Sequence, residues 1–598
     1  MNVMPVAGRA ESRRRNALGT AAIALLALAS SAMGIVNEFP YDDRYIIDLN
    51  PATHDLHRWW NVFATSYWPR SWGGDGYRPL TMLAFKLEWV IGHGRPAVFH
   101  AANILLYAGV AVLVYGLARR LLPAWAAWTA AALFAVHPVH VEAVAGIVGQ
   151  SELLVACALL AALLLYVRDR SHGELRQRTA IQIVVLYAVA CFSKEHGIVL
   201  PAVLVAAELI ILRPAGPALA RREELTDLGR RARRLRPFYL VLALIAVAFV
   251  AIRAHVLADH GIGGFQPFTP FNTLHITTRD RILTALGVVP HWIRLFYWPV
   301  RLSSEYGPPD IQIAQGPGLW QLPGLLLLCA TLTLAVVLRR RRPAISFGIV
   351  LGCIALLPSS NFLVPAGIVL AERTLFLPSV GAMIAGAGVL AAVADEMRRR
   401  NRLTPAWSRG AAAGCTVVLL AGVVRSAERT KVWHDNETLF TQAVIDSPFA
   451  YRAHYMLGAW DFEKKRKRLG EAEYKKALAL FPYDAALSYN LAEQYRQSGL
   501  CGPALPLYEW SQTLDPHFPM GHGAYATCLL NEGRFDDAKA RALDAIRFGA
   551  NVREMRRVIF LSDSVKSADN LNRISAPPRL AGSPSKSPES VQKAAKKV

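Results

Sequence analysis

Eleven apolar runs, punctuated by arginine clusters, constrain this chain more than any other feature. A hydrocarbon core about 30 Å thick takes roughly 20 apolar residues as helix. Runs of that character are Ala17–Val36, Val98–Leu117, Ala124–Val136, Ala143–Val167, Thr179–Phe192, Ile198–Leu212, Phe238–Ile252, Leu319–Leu338, Ile345–Leu357, Leu375–Ala394 and Ala411–Val424. The short ones extend into their flanks or cross where protein covers them, and Gly and Pro are tolerated inside such helices. The first run reads as a retained helix rather than a cleaved signal peptide. The predicted fold class is therefore all-α, a polytopic membrane helical bundle of about 11 spans.

Charge sets the orientation. The formal net charge of +22 would fit nucleic-acid binding, but the arginines form short clusters between apolar runs and no single basic domain. Clusters at Arg13–Arg15, Arg119–Arg120, Arg168 to Arg178, Arg221 to Arg236, Arg339–Arg342 and Arg398–Arg402 belong on the cytoplasmic side. With the N-terminus inside, eleven crossings place all of them there. The same count places 37–97 and everything after Val424 outside. Ile282–Val300 is apolar enough to span, yet crossing there would expose Arg339–Arg342. Its Pro, His, Arg and Trp content suits a helix at the outer interface. Among the seven cysteines, five lie in apolar runs; Cys501 and Cys528 lie beyond them and read as two buried free thiols rather than a pair.

Beyond Val424 the period changes. Pro448, Pro482 and Pro516 stand 34 residues apart, as do Leu457, Leu491 and Tyr525, and Ala477, Ser511 and Ala545; small residues Gly470, Ala504 and Ala538 precede the last set by seven. This is the pattern of tetratricopeptide (TPR) units, paired antiparallel helices stacked into a solenoid with a concave face that grips a partner. The expected organisation is a cytoplasmic N-terminus (1–16), a membrane domain (17–425) with an outer loop 37–97, TPR units (426–550) and a C-terminal tail (551–598), disordered from about 574.

Four polar groups sit where charge is costly, and the topology brings all four to the outer face. Asp42 and Asp43 follow the first span and could act as a general base or bind a cation. His137, His140 and Glu142 in HPVHVE could hold a divalent cation or serve as polar packing; Pro138 denies them helical metal-site spacing. Lys194 and Glu195, beside His196 in SKEH, form a salt bridge or face a lipid phosphate. Glu372 and Arg373 precede LFLPSVG, and Arg373 is placed to hold the phosphate of a lipid-linked donor, with Arg78 in GYRPL a weaker candidate. No phosphate-binding loop, dinucleotide fingerprint or nucleophile elbow occurs.

In order along the chain, FPYDDRYIIDLNP, YRPLTMLAFKLEWVIG, FHAANILLY, LFAVHPVHVEAVAGIVGQSELL, CFSKEHGIVLPAVL, AERTLFLPSVG and WHDNETLF resemble the transmembrane-and-TPR protein O-mannosyltransferases. The resemblance covers most of residues 15–550. It implies the GT-C fold and transfer of a sugar, mannose in the family, from a polyprenyl-phosphate donor on the outer face. It gives Asp42 and Asp43 the leading catalytic role, with Asp43 slightly ahead as the base that deprotonates a Ser or Thr hydroxyl, inverting the anomeric carbon. Arg373, with Lys194, would stabilise the leaving phosphate, and the TPR units would hold an acceptor protein or peptide. Two departures stand out: three clear repeats rather than a longer array, and Glu305 in RLSSEYG where Asp is expected. The composition points to a bacterial-type member in an inner membrane, its repeats periplasmic. A non-catalytic scaffold and a lipid-linked-sugar transporter are the competing readings; a transporter would carry its ionisable groups near mid-membrane rather than at one face.

Overall fold

The computed structural model describes residues 6–69, 75–212, 221–258, 274, 276–516, 519–548 and 551–575. Its regular secondary structure is helical, and no strand occurs among these residues. Most of the expected tail disorder lies outside the described residues; within them, Val552–Ser575 is helix.

Among the described residues, seven helices are long and apolar enough to cross a membrane: Asn16–Val36, Pro96–Leu121, Ile147–Arg170, Thr226–Ala258, Leu319–Leu338, Glu372–Arg399 and Pro405–Val432. The other four expected spans fall on shorter helices. Three are the apolar helices Ala124–Ala135, Gln177–Ser193 and Pro343–Ser359, and the fourth is Leu200–Ile210, of 11 residues. Ala124–Ala135 shows why shortness is tolerated: Ala126, Ala127, Ala130, Ala131 and Phe134 are all fully buried, so neighbouring helices rather than lipid cover it. Thr278–Tyr297, the run expected at the interface, is outside the long apolar set. It buries one stripe, with Arg281, Thr284, Val288, Trp292 and Leu295 inward.

Local chemistry sets the helix ends. Pro occupies the first turn of the helices starting at Pro79, Pro96, Pro343 and Pro405, where its missing N–H costs nothing. Thr404 caps the last of these, accepting the Trp407 N–H at 3.2 Å. Small residues let backbones touch: a Cβ on Gly348 would lie 2.6 Å from the Gly381 oxygen, so helices Pro343–Leu356 and Phe376–Arg399 require glycine there. One core joins Ile23 and Ala27 of the first helix to Tyr107, Ala111, Phe134, Leu153 and Phe376.

The bundle is polarised end to end. Helix Gln150–Arg170 has Glu152 in its first turn and Arg168 and Arg170 in its last. Helix Pro96–Leu121 meets the 37–50 loop near its start, where the His100 ring is 3.0 Å from the Glu38 carbonyl, and ends on Arg119 and Arg120. Pro405–Val432 runs the opposite way and returns the chain to that loop, the Asn37 amide donating to the Thr430 carbonyl at 3.2 Å.

Beyond it, helices begin at Tyr451, Ala485 and Pro519, and their partners at Lys467, Cys501 and Phe535, repeating the 34-residue step of the sequence. Gly458 and Gly470 make the first pair close, since a Cβ on Gly470 would lie 2.9 Å from the Gly458 oxygen. The chain forms two compact units, Met1–Leu487 and Ser488–Val598. The first pair of the periodic region thus belongs to the same unit as the bundle. In the second unit Cys501 and Cys528 are joined as a disulfide, contrary to the expectation of free thiols. The two lie 27 residues apart in sequence, which puts them on facing helices with their Cα atoms 5.1 Å apart.

Candidate active site

The chain leaves the first helix extended and turns at Tyr41, a non-glycine residue in the left-handed region (φ +57°). That turn sends the two acids to different places. Asp43 is buried, and its carboxylate is fully engaged: Oδ2 accepts the Ile147 N–H and Oδ1 the Val148 N–H, each at 2.8 Å. Burial pushes its carboxyl up to about 8, against these two donors. Its oxygens tie the 37–50 loop to the turn before helix Gln150–Arg170.

Asp42 is one-fifth exposed, at 19%, and lies 3.6 Å from Arg373 Nη1. Burial raises its carboxyl, while Arg373 and Arg452 pull it back. Glu142 holds Arg373 from behind: Oε2 accepts the Arg373 backbone N–H at 2.9 Å, and Oε1 lies 3.2 Å from Nη1. One carboxylate thus fixes both the backbone and the guanidinium, and presents the guanidinium to Asp42.

A second group of charges stands close enough to act on the first. Arg78 pairs with Glu195 at 3.2 Å and lies over the Tyr67 ring, 4.5 Å from its centroid. Burial would raise Glu195, but Arg78 and Lys194 hold it down at about 2. Lys194 contacts Glu152, whose other oxygen is 3.3 Å from His196 Nε2. Burial lowers Lys194, and the neighbouring Arg78 and Arg373 lower it further, as cations gathered round one space would. Each of these cations is paired in turn: Arg373 with Asp42 and Glu142, Arg78 with Glu195, and Lys194 with Glu152.

The remaining expected residues are braces. His137 accepts the Val139 N–H and lies 3.0 Å from the Phe296 carbonyl; His140 meets the Tyr107 hydroxyl at 3.0 Å and the Ser379 hydroxyl at 2.8 Å. With both rings committed and Glu142 on Arg373, the set does not fit a cation. Among the described residues no group of three or more His, Cys, Asp or Glu stands together as metal ligands. Glu372 is engaged elsewhere, accepting the Ser303 N–H at 2.7 Å and the Tyr306 hydroxyl at 2.6 Å.

Residues 82–223, which include Glu142, Glu152, Lys194 and Glu195, match the family described as dolichyl-phosphate-mannose-protein mannosyltransferase. The chain is 25% identical over 537 residues to human protein O-mannosyl-transferase TMTC1, across 82% of this chain and 59% of that protein. It is 27% identical over 483 residues to human protein O-mannosyl-transferase TMTC4, across 73% and 62%. Against protein O-mannosyl-transferase F38B6.6 of Caenorhabditis elegans it is 25% identical over 460 residues, across 74% and 60%. The chain is thus similar to the protein O-mannosyltransferases over most of its length.

It is an integral membrane protein, and it spans about six-tenths of the length of these curated relatives. Two charged residues of this cluster escape the sequence reading. Glu152 carried a visible signal, an acid inside an apolar run. Arg452 carried none, because it lies in the periodic region, where charge is ordinary.

Proposed function

We propose that this chain is a membrane glycosyltransferase that moves a sugar, mannose by analogy with its relatives, from a polyprenyl-phosphate donor to a Ser or Thr hydroxyl of a polypeptide. The observation that carries the reading is the Asp42–Arg373 pair, 3.6 Å apart and partly open, with Lys194 and Arg78 close by. Asp42 takes the proton of the acceptor hydroxyl. The oxygen attacks the anomeric carbon from the face opposite the phosphate, the carbon–oxygen bond to phosphate breaks, and the configuration inverts. The lipid phosphate leaves with the bonding electrons, and Arg373, whose partner Asp42 is now neutral, stabilises it with Lys194.

The site faces the outside of the membrane in this reading. The arginine clusters close the opposite ends of the same helices, as cytoplasmic ends do. The Cys501–Cys528 disulfide suits an oxidising compartment. The periodic helices beyond Trp433, read as TPR units, present the acceptor on that face.

The test is mass spectrometry of glycopeptides from cells carrying wild-type protein, a deletion, Asp42→Asn and Asp43→Asn at matched expression. Loss of a hexose from Ser or Thr in the deletion and in Asp42→Asn, with Asp43→Asn retaining most of it, supports the proposal. Retention in Asp42→Asn removes the base assignment. An unchanged glycopeptide set in the deletion removes protein as acceptor.

A further inference from the structure

The backbone around Asp42 is held from outside the membrane bundle. Tyr41 occupies a left-handed conformation that a bulky residue keeps only where its surroundings over-determine it. Its N–H donates to Asn436 Oδ1 at 2.6 Å, and its ring meets Phe440 edge-on with centroids 6.0 Å apart. Its hydroxyl donates to Glu305 Oε1 at 2.7 Å. Arg452 closes the triangle, with Nε 3.3 Å from Glu305 Oε2 and Nη2 donating to the Tyr41 hydroxyl at 3.4 Å. The loop is fastened on both sides of the acids: the Glu38 N–H donates to the His434 carbonyl at 2.8 Å, and Arg44 pairs with Glu463 at 2.7 Å while lying over Trp460.

Resting on the transferase reading above, we propose that Arg452 is a positioning residue of the transfer site. Through Glu305 and Tyr41 it fixes the turn that aims Asp42, so helices Asn436–Asp446 and Tyr451–Glu463 are part of the active site and not only holders of acceptor. Asp42 has its partner Arg373 3.6 Å away, a contact loose enough that the backbone at Tyr41 must set the direction of the carboxylate. Three of the groups holding that backbone, Asn436, Phe440 and Arg452, come from beyond residue 433, within the same compact unit as the bundle. Arg suits the place because its planar fork can reach both the Glu305 carboxylate and the Tyr41 oxygen, and its charge persists when half-buried.

The experiment uses the full-length protein in detergent micelles with polyprenyl-phosphate-mannose and a Ser/Thr peptide, comparing wild type, Arg452→Gln, Arg452→Lys and Glu305→Gln. Steady-state kinetics are paired with hydrogen exchange of the peptides covering 37–50. The expected result is a kcat roughly tenfold or more lower in Arg452→Gln, since small misplacements of a catalytic group cost up to about a hundredfold. Both KM values should stay within about twofold of wild type, Arg452→Lys should recover part of kcat, and exchange should quicken at 41–48 while 96–121 keeps its protection. A raised acceptor KM with kcat intact would make Arg452 a binding residue and overturn the proposal, as would unchanged exchange at 41–48. If Arg452→Gln loosens the whole bundle, Glu305→Gln decides: wild-type kcat and exchange in that variant overturn the proposal. If wild type transfers nothing, the transferase reading fails, and the exchange comparison still decides whether Arg452 holds the loop.

Discussion

Glu208 and Asp42 are both acids held against arginine in the helical bundle, at opposite ends of it. Glu208 is saturated: it accepts from Arg170 Nε at 2.7 Å, from the Tyr166 hydroxyl at 2.9 Å and from Arg231 Nη1 at 3.4 Å, and Arg231 itself pairs with Asp227. A cleft of about 520 Å³ lies beside it, lined by Leu209, Leu228 and Tyr239 among others. Asp42 has one guanidinium 3.6 Å away, shared with Glu142. A saturated ion cluster is architecture, because any new ligand would have to break a satisfied bond; the Asp42–Arg373 pair, at 3.6 Å, is a looser contact than any of those bonds to Glu208. Cleft volume alone would choose the Glu208 end, where the ion cluster is saturated.

Exchanging the two acids' roles by mutation is the strongest way to break that contrast. Asp42→Asn should lower kcat by about 10²–10⁴, the worth of a general base, with little change in melting temperature, measured by donor-consumption kinetics and thermal unfolding on one preparation. Glu208→Ala should do the reverse. It leaves Arg170 and Arg231 without their buried partner, a loss of about 3–5 kcal/mol, while the transfer rate per folded molecule holds. If Glu208→Ala lost rate and kept stability, the contrast would collapse.

Arg373→Gln sharpens it. Removing a charge that stabilises the leaving phosphate should cost about 10²–10³ in kcat. The pH profile carries a second signature. Asp42 must be ionised to act, and burial raises its carboxyl, so wild-type activity should fall with acidification at a pH above the usual carboxylate range. Arg373 opposes that rise, so its removal should move the acid limb to still higher pH. A limb that stays in place or moves down would remove Asp42 as the titrating base.

How much of this the sequence carried follows the range of the interactions. Membrane helices announced themselves because each is a local run, and the 34-residue step survives as helix starts at Tyr451, Ala485 and Pro519. That Asp42, Arg373, Glu142, Lys194 and Arg78 stand at one end was likewise legible, since each flanks a span. The different settings of Asp42 and Asp43 were not. They are decided by two backbone N–H groups, at Ile147 and Val148, more than 100 residues away, and backbone donors have no sequence signature. Arg452 was illegible for a related reason: nothing local distinguishes an arginine that reaches Glu305 from one that is merely solvated.

Asp43→Asn should have the smallest effect, and it tests the finest part of the comparison. An amide presents one oxygen and one N–H₂ group where the carboxylate presents two oxygens. One of the two N–H donors at Ile147 and Val148 keeps its acceptor and the other then faces a donor. Losing one buried hydrogen bond, with its donor left unpaired, costs about 1–3 kcal/mol. That cost should appear as a lower unfolding midpoint with faster exchange at 147–149. The rate should fall only several-fold, because Asp42 still projects from the turn that Tyr41 and Asn436 hold. A thousandfold loss of kcat in Asp43→Asn, with the fold intact, would return the base to Asp43 and leave Asp42 as the partner that orients Arg373.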